Sequence, residues 1–191
     1  MTKPVEERRQ EIIDTAQRLF KANGFDKTQV ADISKAMNTA QGLVYHYFKS
    51  KTDILYAVID AMAAEQSLKT SKILSQSDGS ALEKMTLLFN TRPDFEDLDT
   101  LVSSLKSDRA VLEYCSNKMT ASAMPVLLSL IESGNEDGSW TCEYPRETAV
   151  FILQGLSGLV ELIYSSTKDD SRVKTFTNFI FRILDSGASP K

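Results

Sequence analysis

The chain has very few of the residues that build catalytic or metal sites. It contains one histidine, His46, and two cysteines, Cys115 and Cys142, among 191 residues. Two cysteines are too few to imply a disulfide framework, and zinc typically needs several His and Cys ligands. Paired histidine ligands, a glycine-rich phosphate loop and a nucleophile motif are also missing from the sequence. We therefore expect no enzymatic activity, no cofactor and no metal.

Long apolar runs are scarce too. The longest covers residues 148–164, contains Gln154 and Glu161, and falls short of the roughly 20 residues needed to cross a bilayer. The opening MTKPVEERRQEII lacks the apolar core of a signal peptide. With 42% hydrophobic and 25% charged residues, the composition is that of an ordinary globular protein. We expect a cytoplasmic protein that makes no membrane contact.

Positive charge is in the minority overall but gathers near the N-terminus. The net charge is −4, yet residues 1–51 carry nine Lys or Arg against six Asp or Glu, a local balance of +3. The remaining residues, 52–191, are therefore acidic. Such a distribution attracts a polyanion to one end of the molecule, although a difference of this size also arises by chance.

Apolar residues recur at helical spacing along the whole chain, and no alternating strand pattern or internal repeat competes with it. A short helix is expected after Thr28, and the sequence predicts further helices over residues 5–23, 40–47, 51–74, 81–90, 95–106, 108–133, 146–166 and 170–185. The clearest loops are 76–80 and 133–139. The expected fold class is all-α.

Residues at the expected helix ends carry the usual stop and start signals. Gly24 suits a left-handed position after the first helix, and Asn38 tolerates the left-handed backbone of a sharp turn. Thr28 is a reasonable N-cap for the second helix. Ser50 and Asp53 form a capping box, with Asp in place of the usual Glu or Gln, for a long fourth helix.

The segment 28–51 is a helix, a tight turn and a second helix, which favours insertion into a DNA major groove. Gln41 lies in the first turn of the third helix, where its amide can pair with adenine, and Gly42 permits close approach of the backbone. Lys51 opens the fourth helix beside its free N–H groups, an arrangement that suits an anion. Hydroxyl and imidazole groups further along can bond phosphate oxygens; they belong to Tyr45, His46 and Tyr47.

This region resembles the TetR family of bacterial transcriptional regulators. The resemblance covers KANGFDKTQV, DISKA and GLVYHYFKSKTDIL. It implies that the first three helices and the start of the fourth form a DNA-binding domain, with Thr28 and Lys51 as flanking backbone contacts. It assigns to the recognition helix Gln41, Gly42, Leu43, Tyr45, His46 and Tyr47.

Three positions depart from the family pattern. Asn38 stands where Gly is usual, Thr39 where an apolar residue is usual, and Ala40 where Ser or Thr caps the helix. We expect that Thr39 takes over the capping and shifts the start of the helix by one residue.

The rest of the chain resembles the family's body domain in the arrangement of its helices. By that resemblance an effector pocket is expected around Phe89, Tyr114, Met119, Met124 and Phe151, although the same residues equally describe a packed core. The last two helices are expected to form a dimer interface through Gly155, Gly158, Leu159, Leu162, Phe176, Phe179, Ile180 and Ile183.

The sequence thus predicts a three-helix headpiece, residues 1–51, joined by a long helix to a helical bundle for effector binding and dimerisation, residues 52–191. The function that fits is a ligand-released homodimeric repressor. Its partners would be double-stranded DNA with a near-palindromic operator and a small apolar or amphipathic effector. Two alternatives stay open: a helical enzyme or carrier of small molecules, and an adaptor whose headpiece binds another protein.

Overall fold

The computed structural model describes residues 4–90, 108–164 and 170–185, and every regular element in these ranges is an α-helix. The helices are α1 Val5–Asn23, α2 Val30–Ala36, α3 Gln41–Tyr47, α4 Lys51–Ser75, α5 Ala81–Asn90, α6 Arg109–Asp137, α7 Pro145–Tyr164 and α8 Asp170–Asp185. The prediction of an all-α fold is confirmed. The helix predicted over residues 95–106 lies outside the described ranges.

The described residues form two compact units. The first comprises residues 4–65 and 108–118, and the second comprises residues 66–90, 119–164 and 170–185. Helices α4 and α6 contribute to both units. The unit that contains the first three helices is therefore larger than the predicted headpiece, because it includes the beginning of α4 and of α6.

The first unit is built on the apolar stripe of α1. Ile12, Ile13 and Phe20 are buried at helical spacing. At Gly24 the backbone has φ 81° and ψ 156°, a conformation that is essentially restricted to glycine. This turn brings Phe25 back against Phe20, edge to face, with ring centroids 5.2 Å apart. The positive φ predicted for Gly24 at the end of α1 is confirmed.

The turn between α2 and α3 ends α2 with a Schellman motif. Thr39 N–H donates to the Ser34 carbonyl at 2.9 Å and Asn38 N–H donates to the Lys35 carbonyl at 3.0 Å. Asn38 between them has φ 50°, the only positive φ at a non-glycine residue in the described part of the chain. The left-handed turn predicted at Asn38 is confirmed, and it sets the direction in which α3 leaves α2.

Asn38 and its neighbour Met37 should respond oppositely to glycine. Asn38→Gly relieves the left-handed conformation and should raise the free energy of unfolding by up to about 1 kcal/mol. Met37 has φ −83°, so Met37→Gly gains no strain relief and should lower that free energy by about 0.5–1 kcal/mol. Urea unfolding followed by circular dichroism measures both. A loss of stability in Asn38→Gly would mean that the Asn side chain stabilises the turn.

The core of the second unit is formed by one face each of α5, α6, α7 and α8. On α7, Ala149, Ile152 and Leu153 are buried, as the helical period requires for one face. On α8, Ile180 and Leu184 are buried in the same cluster. Side chains packed around this core include Leu88, Phe89, Met124, Leu156 and Ile183.

Helix α6 continues through residues that the sequence predicted as a loop. The prediction was wrong for residues 133–137, which are helical up to Asp137. The reason is tertiary: the following segment folds back onto the helix. Trp140 is buried over Gly134 and its indole N–H donates to the Ile131 carbonyl at 2.9 Å. Asn135 binds both the N–H and the carbonyl of Cys142, at 2.7 and 2.8 Å.

The end of α6 also caps the start of α5. The Asp137 carboxylate accepts from Ala81 N–H at 2.6 Å, and the Ser139 hydroxyl accepts from Leu82 N–H at 3.2 Å. Hydrogen bonds from Ser139 and from the Ala81 backbone hold the pKa of Asp137 below its usual value. Residues 137–139 thus satisfy N–H groups that α5 leaves unpaired.

None of the helices within the described ranges is long and apolar enough to cross a membrane.

Candidate nucleic-acid interface

Helix α3 is anchored by two apolar side chains and the elements on either side. Val44 and Phe48 are buried, and Phe48 N–H donates to the Val44 carbonyl to end the helix. Asp53 N–H then donates to the Ser50 hydroxyl at 3.0 Å. The Asp53 carboxylate accepts from Lys49 N–H at 3.1 Å. In a standard capping box it would accept from the N–H of Ser50 instead. The start predicted for α4 is confirmed.

The remaining side chains of α3 point away from this anchor. Gln41 and His46 are exposed, and Tyr45 is 49% exposed. Leu43 and Tyr47 are half-buried, and the Tyr47 ring lies edge to face against the ring of His46, with centroids 5.3 Å apart. An alanine Cβ at the exposed Gly42 would meet no atom within 4 Å. Helix α3 therefore presents hydrogen-bonding groups and a small residue to solvent.

The start of α3 differs from the expected capping arrangement. The N-cap is Ala40, in an extended conformation with φ −73° and ψ 141°, and no side chain caps the helix. The expectation that Thr39 takes over this role was wrong. Thr39 is instead used by its backbone N–H, which closes the turn after α2. The helix begins at Gln41, so the amide of this side chain lies at the first helical position.

Thr28 is not available to DNA. It is 0% exposed, and its hydroxyl donates to the Gly24 carbonyl at 2.8 Å. The N-cap of α2 is Gln29, whose N–H donates to the Asp32 carboxylate at 2.8 Å. Both predictions for Thr28, the cap and the backbone contact, were wrong, because the residue is part of the connection that closes α1 onto α2.

Lys51 is engaged inside the protein. Its ammonium donates to the carbonyls of Phe25 at 2.8 Å, Thr28 at 3.0 Å and Asp26 at 3.4 Å. The ammonium also lies 4.2 Å from the centroid of the Phe25 ring. A lysine ammonium has three N–H donors, so these carbonyls occupy all of them. The structure contradicts the predicted phosphate contact and makes Lys51 the link between α4 and the connection from α1 to α2.

Removing this link should destabilise the first unit. Hydrogen bonds to a charged group contribute about 1.5–3 kcal/mol, so Lys51→Met should lower the free energy of unfolding by about 2 kcal/mol. Lys49 is exposed, and among the described residues its ammonium has no hydrogen-bond or ion-pair partner, so Lys49→Met should change that free energy by less than about 0.5 kcal/mol. Urea unfolding by circular dichroism compares the two variants. If Lys51→Met is as stable as Lys49→Met, the hydrogen bonds of Lys51 do not stabilise the unit, and its ammonium is available for the predicted phosphate contact.

Arg9 lies beside the end of α3, and the sequence analysis did not single it out. It is exposed on α1, and its guanidinium carbon lies 5.1 Å from the centroid of the Phe48 ring. Arg9 and Phe48 are far apart in sequence, and no local motif connects them. The basic excess of residues 1–51 was the only signal that pointed towards Arg9.

Comparison with known proteins agrees with the helix-turn-helix geometry. The family model described as "Bacterial regulatory proteins, tetR family" matches residues 12–58, which run from α1 into α4. Over these residues the chain has the DNA-binding segment of the TetR family. The HTH-type transcriptional regulator HbdR of Aromatoleum sp. (strain CIB) is 40% identical over 57 residues. That match covers 30% of this chain and 25% of HbdR, so the chain spans about a quarter of that relative's length.

Two further proteins match over almost the whole chain. The HTH-type transcriptional repressor KstR2 of Rhodococcus jostii (strain RHA1) is 23% identical over 194 residues, covering 96% of this chain and 92% of KstR2. The crystal structure of RolR in complex with resorcinol has a TM-score of 0.67 and 18% identity. It covers 94% of this chain and 88% of the RolR chain. At these identities the likeness concerns the fold.

The residues predicted for a TetR-type effector pocket lie in both units. Tyr114 belongs to the first, where its hydroxyl donates to Asp60 at 2.9 Å and its ring lies 4.3 Å from that of Tyr56. Phe89, Met119 and Met124 are partly buried in the second. Phe151 is 57% exposed and lies outside the core of this unit, because Ala149, Ile152 and Leu153 take the inward face of α7.

The residues predicted for the dimer interface differ in their exposure. Gly155 is exposed, Phe179 is 50% exposed and Ile183 packs against the core of the second unit. Ile180, also predicted for the interface, is instead 1% exposed inside that core, so it does not lie on the surface of the second unit. The side chains of the other predicted residues lie outside the described part; they are Gly158, Leu159, Leu162 and Phe176.

Proposed function

We propose that the protein is a sequence-specific DNA-binding transcriptional regulator that acts as a homodimeric repressor and is released from DNA by a small molecule. The observation that carries this proposal is the division of α3 into a buried and an exposed side. Val44 is buried on one side, whereas Gln41 and Tyr45 face solvent on the other. A helix held in this way can enter a major groove without disturbing the core beneath it.

In this proposal the exposed side chains of α3 have separate roles. The Gln41 amide, at the first helical position, pairs with the edge of an adenine through one donor and one acceptor. The hydroxyl of Tyr45 and the imidazole of His46 reach phosphate oxygens. Gly42 lets the backbone approach the duplex, since no side chain intervenes. The half-buried Leu43 and Tyr47 complete the edge of the surface.

The charge around α3 supports binding to a polyanion. Three lysines without a hydrogen-bonded or paired ammonium among the described residues are exposed in the headpiece: Lys27, Lys35 and Lys49. Lys51 is occupied by backbone carbonyls and contributes only through its net charge. Neutralisation of phosphates by such groups releases counterions, so DNA affinity should fall steeply as salt rises.

Exposed apolar side chains on α7 and α8 of the second unit support self-association. On α7, Val150 and Phe151 are 43% and 57% exposed, and on α8 Phe179 is 50% exposed. Gly155 lies one turn after Phe151, and a Cβ there would meet no atom within 4 Å. In the proposed dimer these side chains are covered by a second copy of this chain, the partner that a two-fold DNA reader requires.

The proposed effector is a small apolar or amphipathic molecule. RolR, a structural neighbour with the same fold, has been crystallised with resorcinol, a small phenol. In this chain the partly buried side chains of Phe89 and Met124 pack against the core of the second unit, and we propose that an apolar effector binds beside them. A compound that raises the melting temperature of the protein should also weaken its binding to DNA, because effector and DNA affinities are reciprocally coupled.

Selection of duplexes from a randomised pool with the full chain tests the proposal. We expect a near-palindromic sequence with half-sites about one helical turn apart or a multiple of that distance, bound by a dimer in sedimentation experiments. Phe151→Glu should shift the protein to monomers and weaken operator binding. Leu68→Glu, at a position 72% exposed, is the matched control and should leave both unchanged. Selection that yields no enriched sequence would overturn the proposed function.

A further inference from the structure

Two adjacent arginines near the start of α1 are held in different ways. Arg8 donates from Nη1 to the Glu11 carboxylate at 2.7 Å, an ion pair one turn along the helix. Arg9 is exposed, and among the described residues its guanidinium has neither an ion-pair nor a hydrogen-bond partner; it lies over the ring of Phe48. The two side chains have the same chemistry, yet the donors of only one of them are used by a carboxylate.

The position of Phe48 decides where the Arg9 guanidinium lies. Phe48 is 4% exposed and immediately follows α3, so its ring is fixed by the core of the first unit. With its carbon 5.1 Å from the ring centroid, the guanidinium is held at the C-terminal end of the recognition helix. Contact with an aromatic ring leaves the N–H groups of an arginine available to acceptors.

We infer that Arg9 binds a phosphate group of the DNA backbone beside the end of α3. This inference rests on the proposed function, because its ligand is the duplex that α3 reads. The planar guanidinium matches phosphate oxygens with two parallel N–H donors, and the contact with Phe48 reduces the freedom that the side chain loses on binding. Arg9 thereby fixes the position of the first unit on the duplex and contributes affinity that does not depend on base sequence.

Salt-dependent binding by the full chain tests the role of Arg9. The probes are a duplex selected by the wild-type protein and a scrambled duplex of equal length, with affinities measured by fluorescence anisotropy over a range of KCl concentrations. Arg9→Ala should weaken binding to both duplexes. It should also flatten the slope of log K against log [salt] by about 0.9 per bound subunit. Arg8→Ala, the matched control, should keep the wild-type slope.

The outcomes separate this inference from the function on which it rests. If the wild-type chain binds the selected duplex but Arg9→Ala has the wild-type salt slope, the phosphate contact of Arg9 is refuted and the proposed DNA-binding function still stands. If Arg8→Ala flattens the salt slope as much as Arg9→Ala does, the phosphate contact of Arg9 is refuted too. The change would then reflect the loss of a positive charge near the DNA and not a specific contact. Failure of the wild-type chain to bind overturns both. Thermal melting checks that each variant folds, and a DNA-induced shift of the Arg9 Nε–H resonance in the wild-type protein supplies a readout without substitution.

Discussion

Replacing Gly134 with alanine is expected to destabilise the second unit strongly. A Cβ at this position would lie 2.0 Å from Cε2 and 2.5 Å from Nε1 of Trp140. The indole cannot simply move aside, because it is buried and donates to the Ile131 carbonyl. Overpacking costs about 1–3 kcal/mol and a buried, unpaired N–H costs about the same again. We expect a loss of about 3 kcal/mol or more in the free energy of unfolding.

Trp140 itself reports this change, since it is the only tryptophan in the chain. Urea unfolding followed by Trp140 fluorescence should show an earlier transition and a red-shifted folded state. Gly42→Ala is the control: it makes the same substitution in a helix where a Cβ meets no atom within 4 Å. It should raise the free energy of unfolding by up to about 1 kcal/mol. A Gly134→Ala variant as stable as the wild type would show that Trp140 does not pack on α6 as described.

Gln41→Ala is expected to remove base discrimination while leaving the fold unchanged. The side chain is exposed at the first position of α3, so its loss creates no cavity. A bidentate contact to a base contributes about 1–3 kcal/mol of discrimination, which corresponds to roughly a 5- to 150-fold preference at one base pair. We expect this preference to disappear at a single position of each half-site, with the affinity for scrambled duplexes unchanged.

Competition between the selected duplex and its single-base-pair variants measures the effect. Gln76→Ala provides the control, since Gln76 is an exposed glutamine in the turn that follows α4, outside α3. It should retain the wild-type preference at every base pair. If Gln41→Ala also retains the full preference, this side chain does not read a base and the register proposed for α3 on DNA is wrong.

The sequence predicted those features of the fold that depend on neighbouring residues. The stripe of Ile12, Ile13 and Phe20 has the helical period, and Gly24 and Asn38 have the positive φ values that their residue types allow. The capping hydrogen bond between Asp53 and Ser50 is likewise local. Local chemistry sufficed at these positions because each signal and the structure that it specifies lie within one or two helical turns.

The predictions that failed depend on contacts between distant parts of the chain. Lys51 has the pattern of an anion site at a helix start, but its ammonium reaches carbonyls 23 to 26 residues away. Residues 133–137 have the composition of a loop, yet the contact between Trp140 and Gly134 keeps them helical. Helical period alone also could not show that Ile180 faces inward whereas Phe179 faces outward.

Protection of His46 tests most directly whether the exposed face of α3 meets DNA. It is the only histidine in the chain and is exposed on α3, so diethyl pyrocarbonate modifies one imidazole of the unaltered protein. We predict that the selected duplex strongly slows this modification and that a scrambled duplex at the same concentration and salt slows it far less. Modification of His46 at the same rate in the free protein and in its complex with the selected duplex would contradict the account, because α3 would then lie outside the DNA interface.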